Sequence, residues 1–292
     1  MSSCNLKKVI CLGSLFFMTS FLVRPAFAGF LGLDKVVNVG EKVVKAQAAP
    51  EPDEATMGRD LAALVLGAFP PAGSEALNQY VSKVGLTVAQ VSSRPNVNYH
   101  FQVVDARDAQ GNMIVNAFSC PGGYIFVTRG LLSQLKSEAE LAGVLGHEIA
   151  HVADKHALKA IKKSQTTAAL TEAGADIAAD QAGVGGGLIK KIGPVFVNHL
   201  FEKGFDRADE YKADAAAIQY AAKAGYDPKA FISFLNLLKN QEGGRNYSTI
   251  MRTHPKPQDR IDRLQSLMAS KNLGSGTKQI LANRWQANAS GS

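Results

Sequence analysis

Apolar positions recur with two different periods along this chain, and the change of period predicts where helices give way to strands. In residues 57–69 and 74–92, apolar side chains recur three and four positions apart, as on one face of a helix. Runs of β-branched and aromatic residues follow at 99–106, 113–119 and 123–130, with turn residues between them. We therefore expect two helices followed by a meander of three short antiparallel strands.

A further helix is predicted to begin at Ser137, because Ser137 and Glu140 have the spacing of a capping box. Its buried stripe consists of Leu141, Val144, Leu145, Ile149 and Val152. His147 and His151 lie four residues apart in this helix, so both imidazoles project from one face about a turn apart. The sequence therefore predicts that the two imidazoles can share one metal ion.

The residue types at this position favour zinc. Two neutral imidazoles suit Zn²⁺, which needs a third protein ligand and, in a catalytic site, a position left open for water. Glu148 lies about 100° around the helix from His147, where it can reach such a water but is badly placed to ligate the ion. The arrangement is H-E-x-x-H, a metallopeptidase motif.

A second pair of polar residues predicts the rest of the site. Glu210 and Asp214 lie four apart in the Ala-rich segment 205–218, where small residues would let this helix approach another closely. Alone, such a pair is more typical of a solvated helix face. Beside the histidine motif, Glu210 becomes the expected third ligand, and Asp214 is suited to accept the free ring N–H of a ligating histidine.

The remaining candidate residues receive structural interpretations. His156 lies nine residues after His147, about 180° around the helix, so it cannot complete the same site, and we expect it to be structural or exposed. His100 and His199 have no partners nearby in the sequence. Cys120 precedes a proline in a turn with no basic residue nearby to lower its pKa, and we interpret it as a packing residue.

The N-terminus predicts export. Lys7 and Lys8 precede an apolar run of about 15 residues, short of the roughly 20 that span a bilayer, and Ala26 and Ala28 form a small-x-small cleavage pattern. We interpret residues 1–28 as a signal peptide, followed by a segment and linker at 29–54, and expect a soluble periplasmic protein. The net charge of +7 is scattered along the chain without aromatic interleaving, which argues against nucleic-acid binding.

Four motifs together resemble a known family. They are "NAFSCPGGYIFVTRGLL", "SEAELAGVLGHEIAHVADKH", "RADEYKAD" and "THPKPQDRI", in this order over residues 55–270. The chain resembles the zinc metallopeptidases that include the CAAX prenyl protease and the heat-shock protease HtpX, in their soluble periplasmic branch. The resemblance implies that His147, His151 and Glu210 bind one zinc ion per chain and that Glu148 is the general base and acid. It also implies that His254 and Arg260 face the substrate.

The expected fold class is α+β: a mainly helical zincin-like domain over residues 55–275, with a small antiparallel sheet and the H-E-x-x-H helix. Residues 276–292 are expected to be a disordered tail. The Ala- and Gly-rich insert at 164–200 is interpreted as a mobile helical flap, with a membrane-surface segment or a solvated loop as alternatives.

The expected function is hydrolysis of peptide bonds in unfolded or misfolded polypeptides of the cell envelope. The substrate would add to the strand edge at Asn116, Ala117 and Phe118 through backbone hydrogen bonds. His254 has two possible roles, stabilisation of the oxyanion or occupation of the open zinc position in a latent enzyme. The alternative function is a zinc-stabilised chaperone or binding module without proteolysis.

Overall fold

This computed structural model describes residues 53–169, 193, 196, 199–241, 244, 247–274 and 279–289. Helices α1 (Glu54–Ala68) and α2 (Glu75–Ala89) come first, as their apolar periodicity predicts. The side chain of Asp53 accepts a hydrogen bond from the N–H of Thr56 at the start of α1. Ser74 caps α2 in the same way, because a short polar side chain satisfies an N–H that has no partner inside the helix.

Three strands follow, and their pairing corrects the expected antiparallel meander. Strands β1 (His100–Val104), β2 (Ala117–Ser119) and β3 (Tyr124–Thr128) form a mixed sheet in the order β1-β3-β2. The tight turn at Pro121–Gly123 makes β2 and β3 antiparallel. The longer connection from β1 lets β1 pair with the far edge of β3, and there it runs parallel.

The rest of the described chain is mainly helical. Its α-helices are α3 (Arg129–Leu132), α4 (Glu138–Ala153), α5 (His156–Ala169), α6 (Arg207–Lys223), α7 (Lys229–Asn240), α8 (Ser248–Thr253), α9 (Pro257–Lys271) and α10 (Ala282–Ala289), and a π-helix spans His199–Lys203. The predicted α+β class, mainly helical with a small sheet, is confirmed.

Helix α4 lies at the centre of the domain, with every residue buried. Ser137 accepts the N–H of Glu140 at 3.2 Å, which confirms the predicted helix start. Glycines let the neighbouring helices approach. A Cβ at Gly143 would lie 2.6 Å from the Cβ of Phe231 in α7, and one at Gly146 would lie 3.3 Å from the Cα of Ala217 in α6. The small residues of α6 therefore allow this helix to approach α4 closely, in agreement with the sequence prediction that it approaches another helix.

A sharp break separates α4 from α5. Helix α4 ends at Ala153, and Lys155 has a left-handed backbone with a φ of 56°. Because the chain changes direction here, His156 begins a new helix and is not part of α4. The expectation that His156 lies about 180° from His147 on one continuous helix is therefore wrong.

The C-terminal stretch corrects another expectation. Residues Ala282–Ala289 of the tail that was expected to be disordered form α10. Its Trp285 is buried, and the indole N–H donates to the carbonyl of Leu135 at 2.9 Å. Arg284 contacts Glu138, the first residue of α4. An aromatic anchor and an ion pair thus hold this helix against the start of α4.

Several predictions concern other parts of the chain. The expected signal peptide at 1–28, most of the segment at 29–54 and most of the insert at 164–200 lie outside the described residues. None of the helices within the described ranges is long and apolar enough to cross a membrane.

Candidate metal centre

Helix α4 brings two imidazoles together at its buried face. The Nε2 atoms of His147 and His151 lie 3.0 Å apart, and both side chains are buried. Their spacing of one turn directs both ring nitrogens to the same point, as the sequence predicts.

Helix α6 supplies Glu210 at the same point. Its carboxylate is fully buried, with Oε2 3.5 Å from His147 Nε2 and Oε1 3.4 Å from His151 Nε2. The structure therefore brings together all three residues that the sequence proposed as ligands, although Glu210 is about sixty residues away along the chain.

These distances fit a zinc ion. Ligand atoms 2.0–2.1 Å from zinc in a tetrahedral arrangement are about 3.3 Å from one another. In the structure, the two imidazole Nε2 atoms lie 3.0 Å apart, and each lies 3.4 or 3.5 Å from a different one of the two oxygens of Glu210, so the three groups are spaced to share one ion. In addition, Glu210 Oε1 is buried and has no hydrogen-bond partner among the described residues, a costly state for a carboxylate oxygen unless a cation meets it. Two imidazoles and one carboxylate form a donor set suited to zinc.

The electrostatics of the centre also favour a cation. Burial alone would raise the pKa of Glu210, but His254, His151 and His147 outweigh it and hold this pKa well below its usual range. Burial disfavours the protonated form of His147, yet the carboxylates of Asp214 and Glu210 raise its pKa to about 9. Buried carboxylates thus stay ionised and attract positive charge to the point where the ligand atoms meet.

Asp214 lies beside His147, and Arg260 lies beside Asp214. His147 Nδ1 is 2.9 Å from Asp214 Oδ1, although the ring N–H is poorly aligned with that oxygen. The guanidinium of Arg260 donates from Nε and Nη2 to the two carboxylate oxygens at 2.8 and 2.6 Å. Burial would raise the pKa of Asp214, but Arg260 and His147 outweigh it and lower this pKa to about 2. Arg260 therefore forms a buried pair with Asp214, a contact that the sequence did not predict.

Glu148 lies beside the ligand set, as the motif predicts. Its carboxyl lines a small cavity together with Ala117, Phe231 and His254, and Arg260 also borders this cavity. Burial raises the pKa of Glu148, while His147 and His254 oppose the increase. A buried carboxyl whose pKa is raised is suited to hold a proton during a reaction.

His254 also reaches the centre. It follows α8 with an extended backbone, as expected for a residue before proline, and its Nδ1 lies 2.6 Å from Glu210 Oε2. Its ring centroid is 5.2 Å from that of His147. The structure thus places His254 in contact with a candidate ligand, and both roles considered for it remain proposals.

The candidate substrate strand is β2, an edge strand of the sheet. The backbone of Asn116 already pairs within the sheet, since its carbonyl accepts a hydrogen bond from the N–H of Thr128 at 3.0 Å. Backbone groups point toward the partner strand at every second residue, and the register pairs Phe118 with Phe126, so the backbone groups of Phe118 also point toward β3. Of the three residues proposed from the sequence, only Ala117 turns its backbone groups to the outer edge. Ser119 does the same, and the sequence did not single it out.

Two other residues complete the picture. His156 is buried, with its Nδ1 2.8 Å from His151 Nδ1, and the sequence gave no signal for this contact. Cys120 lies buried in an apolar cluster, and burial raises the pKa of its thiol, in keeping with a packing residue.

The chain is similar to several known proteins. The family model described as "Peptidase family M48" matches residues 75–268. A beta-barrel assembly-enhancing protease of Escherichia coli K12 is 28% identical over 263 residues, which cover 88% of this chain and 51% of the relative. The mitochondrial metalloendopeptidase OMA1 of Arabidopsis thaliana is 32% identical over 164 residues, covering 55% of this chain and 30% of the relative. The chain thus spans about half the length of the first of these relatives.

Proposed function

Since this chain belongs to peptidase family M48, we propose that it cleaves internal peptide bonds of unfolded or misfolded polypeptides in the bacterial cell envelope. Membership confirms the family resemblance, and with it zinc as the cofactor and zinc metalloendopeptidase as the enzyme class of this domain. The observation that carries the proposal is the meeting of His147, His151 and Glu210 beside the buried carboxyl of Glu148.

Glu148 has the central role in the proposed chemistry. When bound, zinc supplies a Lewis acid that polarises the peptide carbonyl and lowers the pKa of water. Glu148 accepts the proton of the attacking water and passes it to the leaving amine. Its buried position supports this role, because a carboxyl whose pKa is raised can hold the proton between the two transfers.

His254 and Arg260 have different roles in this proposal. An N–H of His254 stabilises the oxyanion that develops at the cleaved carbonyl, and the alternative remains that His254 blocks the open zinc position in a latent enzyme. Arg260 borders the cavity, but its two hydrogen bonds go to Asp214, which contacts His147. We therefore propose that Arg260 and Asp214 hold the orientation of His147.

The substrate is proposed to bind as an extended chain along the outer edge of β2. Ala117 and Ser119 offer backbone groups there, and Ala117 lines the same cavity as Glu148. Backbone hydrogen bonds to the main chain of a substrate depend little on the substrate's side chains, which suits the binding of unfolded polypeptides. Ala117 and Ser119 are only 4% and 2% exposed, so the cleft must widen when a peptide enters.

The envelope location is supported by the expected signal at residues 1–28 and by bacterial relatives named as beta-barrel assembly-enhancing proteases. After removal of the signal the protein would be periplasmic, with possible peripheral membrane contact through the segment around residues 188–197.

The deciding experiment compares casein degradation by the purified protein, by Glu148→Gln and by the control Glu75→Gln, whose carboxylate is exposed on α2. We expect chelator and Glu148→Gln each to abolish degradation, while Glu148→Gln keeps its zinc and Glu75→Gln behaves as wild type. Degradation by Glu148→Gln at the wild-type rate would refute the mechanism. A zinc-loaded wild-type protein that holds unfolded casein without cutting it would favour the chaperone alternative.

A further inference from the structure

We propose that His156 is a positioning residue for the candidate zinc ligand His151, and that Asp209 fixes the tautomer through which it acts. This inference deepens the proposed function at the same centre and needs zinc binding, but it does not depend on proteolysis. It concerns a histidine that the sequence pattern placed on the wrong side of the helix.

The contact between the two histidines requires one proton. Their Nδ1 atoms lie 2.8 Å apart, and each side chain is only 1% exposed. At this distance in a buried place, one Nδ1 must donate and the other must accept, because two lone pairs or two N–H groups facing each other would be repulsive. The orientation of this hydrogen bond decides which nitrogen of His151 is free to bind metal.

The surroundings of His156 determine that orientation. Its other ring nitrogen, Nε2, lies 3.4 Å from Asp209 Oδ1 and 3.8 Å from Asp154 Oδ2. Ionised carboxylates only accept hydrogen bonds, so a lone pair on Nε2 would face negative charge, whereas an N–H would be attracted. The proton of neutral His156 therefore belongs on Nε2, which leaves Nδ1 as the acceptor.

The consequence for His151 follows directly. If His156 Nδ1 accepts, His151 Nδ1 carries the proton, and the lone pair of His151 lies on Nε2. This is the nitrogen that lies 3.0 Å from His147 Nε2 and 3.4 Å from Glu210 Oε1. The opposite orientation would put a proton on His151 Nε2 and prevent it from binding metal.

The fold supports the same arrangement. Phe205 stacks on His151 with ring centroids 4.4 Å apart and thereby restricts the ring plane. The left-handed Lys155 turns the chain so that the first residue of α5 returns to the end of α4. Each candidate imidazole ligand thus has a polar neighbour within 3 Å of Nδ1, the Asp214 carboxylate at 2.9 Å for His147 and the His156 imidazole at 2.8 Å for His151.

The test measures zinc affinity by competition with a chromogenic chelator. We expect His156→Ala to bind zinc about 10- to 100-fold more weakly, the usual cost of losing an outer partner of a metal ligand. His156→Asn should recover most of this loss, because its side-chain oxygen can take the place of Nδ1 as acceptor. His100→Ala, at an exposed histidine on β1, is the control and should keep wild-type affinity.

A second pair of variants tests the tautomer without removing the histidine. In Asp209→Asn the new amide can donate to His156 Nε2 and so favour the wrong tautomer, and we expect about tenfold weaker zinc binding. The matched control is Asp154→Asn, which alters the more distant carboxylate and should change affinity less than about twofold. Equal losses in both variants would overturn the assignment of Asp209.

Other outcomes separate the possible failures. Unchanged zinc affinity in His156→Ala, or no recovery in His156→Asn, would overturn the positioning role. Thermal unfolding of the zinc-free variants shows whether a loss of affinity comes only from a destabilised fold, in which case the inference also fails. A wild-type protein that binds zinc tightly but cuts no casein would refute the proposed function and leave this inference standing.

Discussion

Removal of Arg260 provides a quantitative test of the buried pair behind the metal centre. Arg260 is 3% exposed and donates two hydrogen bonds of 2.8 and 2.6 Å to Asp214, whose carboxylate is also buried. In Arg260→Met the side chain remains long and apolar, but Asp214 loses its cationic partner. Breaking a buried ion pair by removing one member typically costs about 3–5 kcal/mol, because the remaining charge is uncompensated.

The expected magnitude is large enough to measure directly. For a domain of this size each kcal/mol lowers the melting temperature by about 2–4 °C, so we expect a decrease of roughly 6–20 °C. The measurement is thermal unfolding at neutral pH in the presence of chelator, which removes any contribution from zinc. The control is Arg94→Met, whose partner is Glu54 at 3.1 Å but whose side chain is 33% exposed, and a loss of about 1 kcal/mol or less is expected there.

A double variant completes the test. Adding Asp214→Asn to Arg260→Met removes the uncompensated carboxylate and should recover part of the lost stability. If Arg260→Met melts no lower than Arg94→Met, or if the double variant recovers nothing, the reasoning about the buried pair is refuted. In that case Arg260 would be interpreted mainly as a residue facing the cavity.

Three further predictions address other parts of the site and fold. Glu210→Ala should bind zinc much more weakly, since two imidazoles form an incomplete site, and stoichiometric tight zinc by metal analysis would remove Glu210 from it. His254→Ala should lower casein turnover by about 10²- to 10³-fold with zinc content nearly unchanged if His254 stabilises the oxyanion, whereas increased basal activity would support the latent alternative. Burial favours the protonated form of Glu138, but hydrogen bonds from Arg284 and two tyrosines outweigh it and hold its pKa below 4.5. Ionised Glu138 therefore stabilises the fold above about pH 4.5 and loses this contribution as the pH falls, so Glu138→Gln should show a smaller loss of stability than wild type between about pH 5 and pH 3.

The sequence by itself determined the parts of the site that lie within single helices. The backbone hydrogen bonds of a helix fix a spacing of four residues as one turn, so His147 and His151 had to share a face, as did Glu210 and Asp214. The cap at Ser137 was likewise predictable, because its partner Glu140 is three residues away. Periodicity also gave the mainly helical class and the approximate position of each strand.

Only the tertiary structure decided the contacts between distant or redirected segments. β1 runs parallel to β3 because strand pairing depends on the path of the connections, which periodicity does not encode. Arg260 contacts Asp214, which lies 46 residues earlier in the sequence, and Trp285 contacts Leu135, which lies 150 residues earlier. His156 reaches His151 because a single left-handed residue, Lys155, ends one helix and redirects the next. The spacing of residues within a helix determines which side chains share a face, whereas the packing of the helices determines which other residues that face contacts.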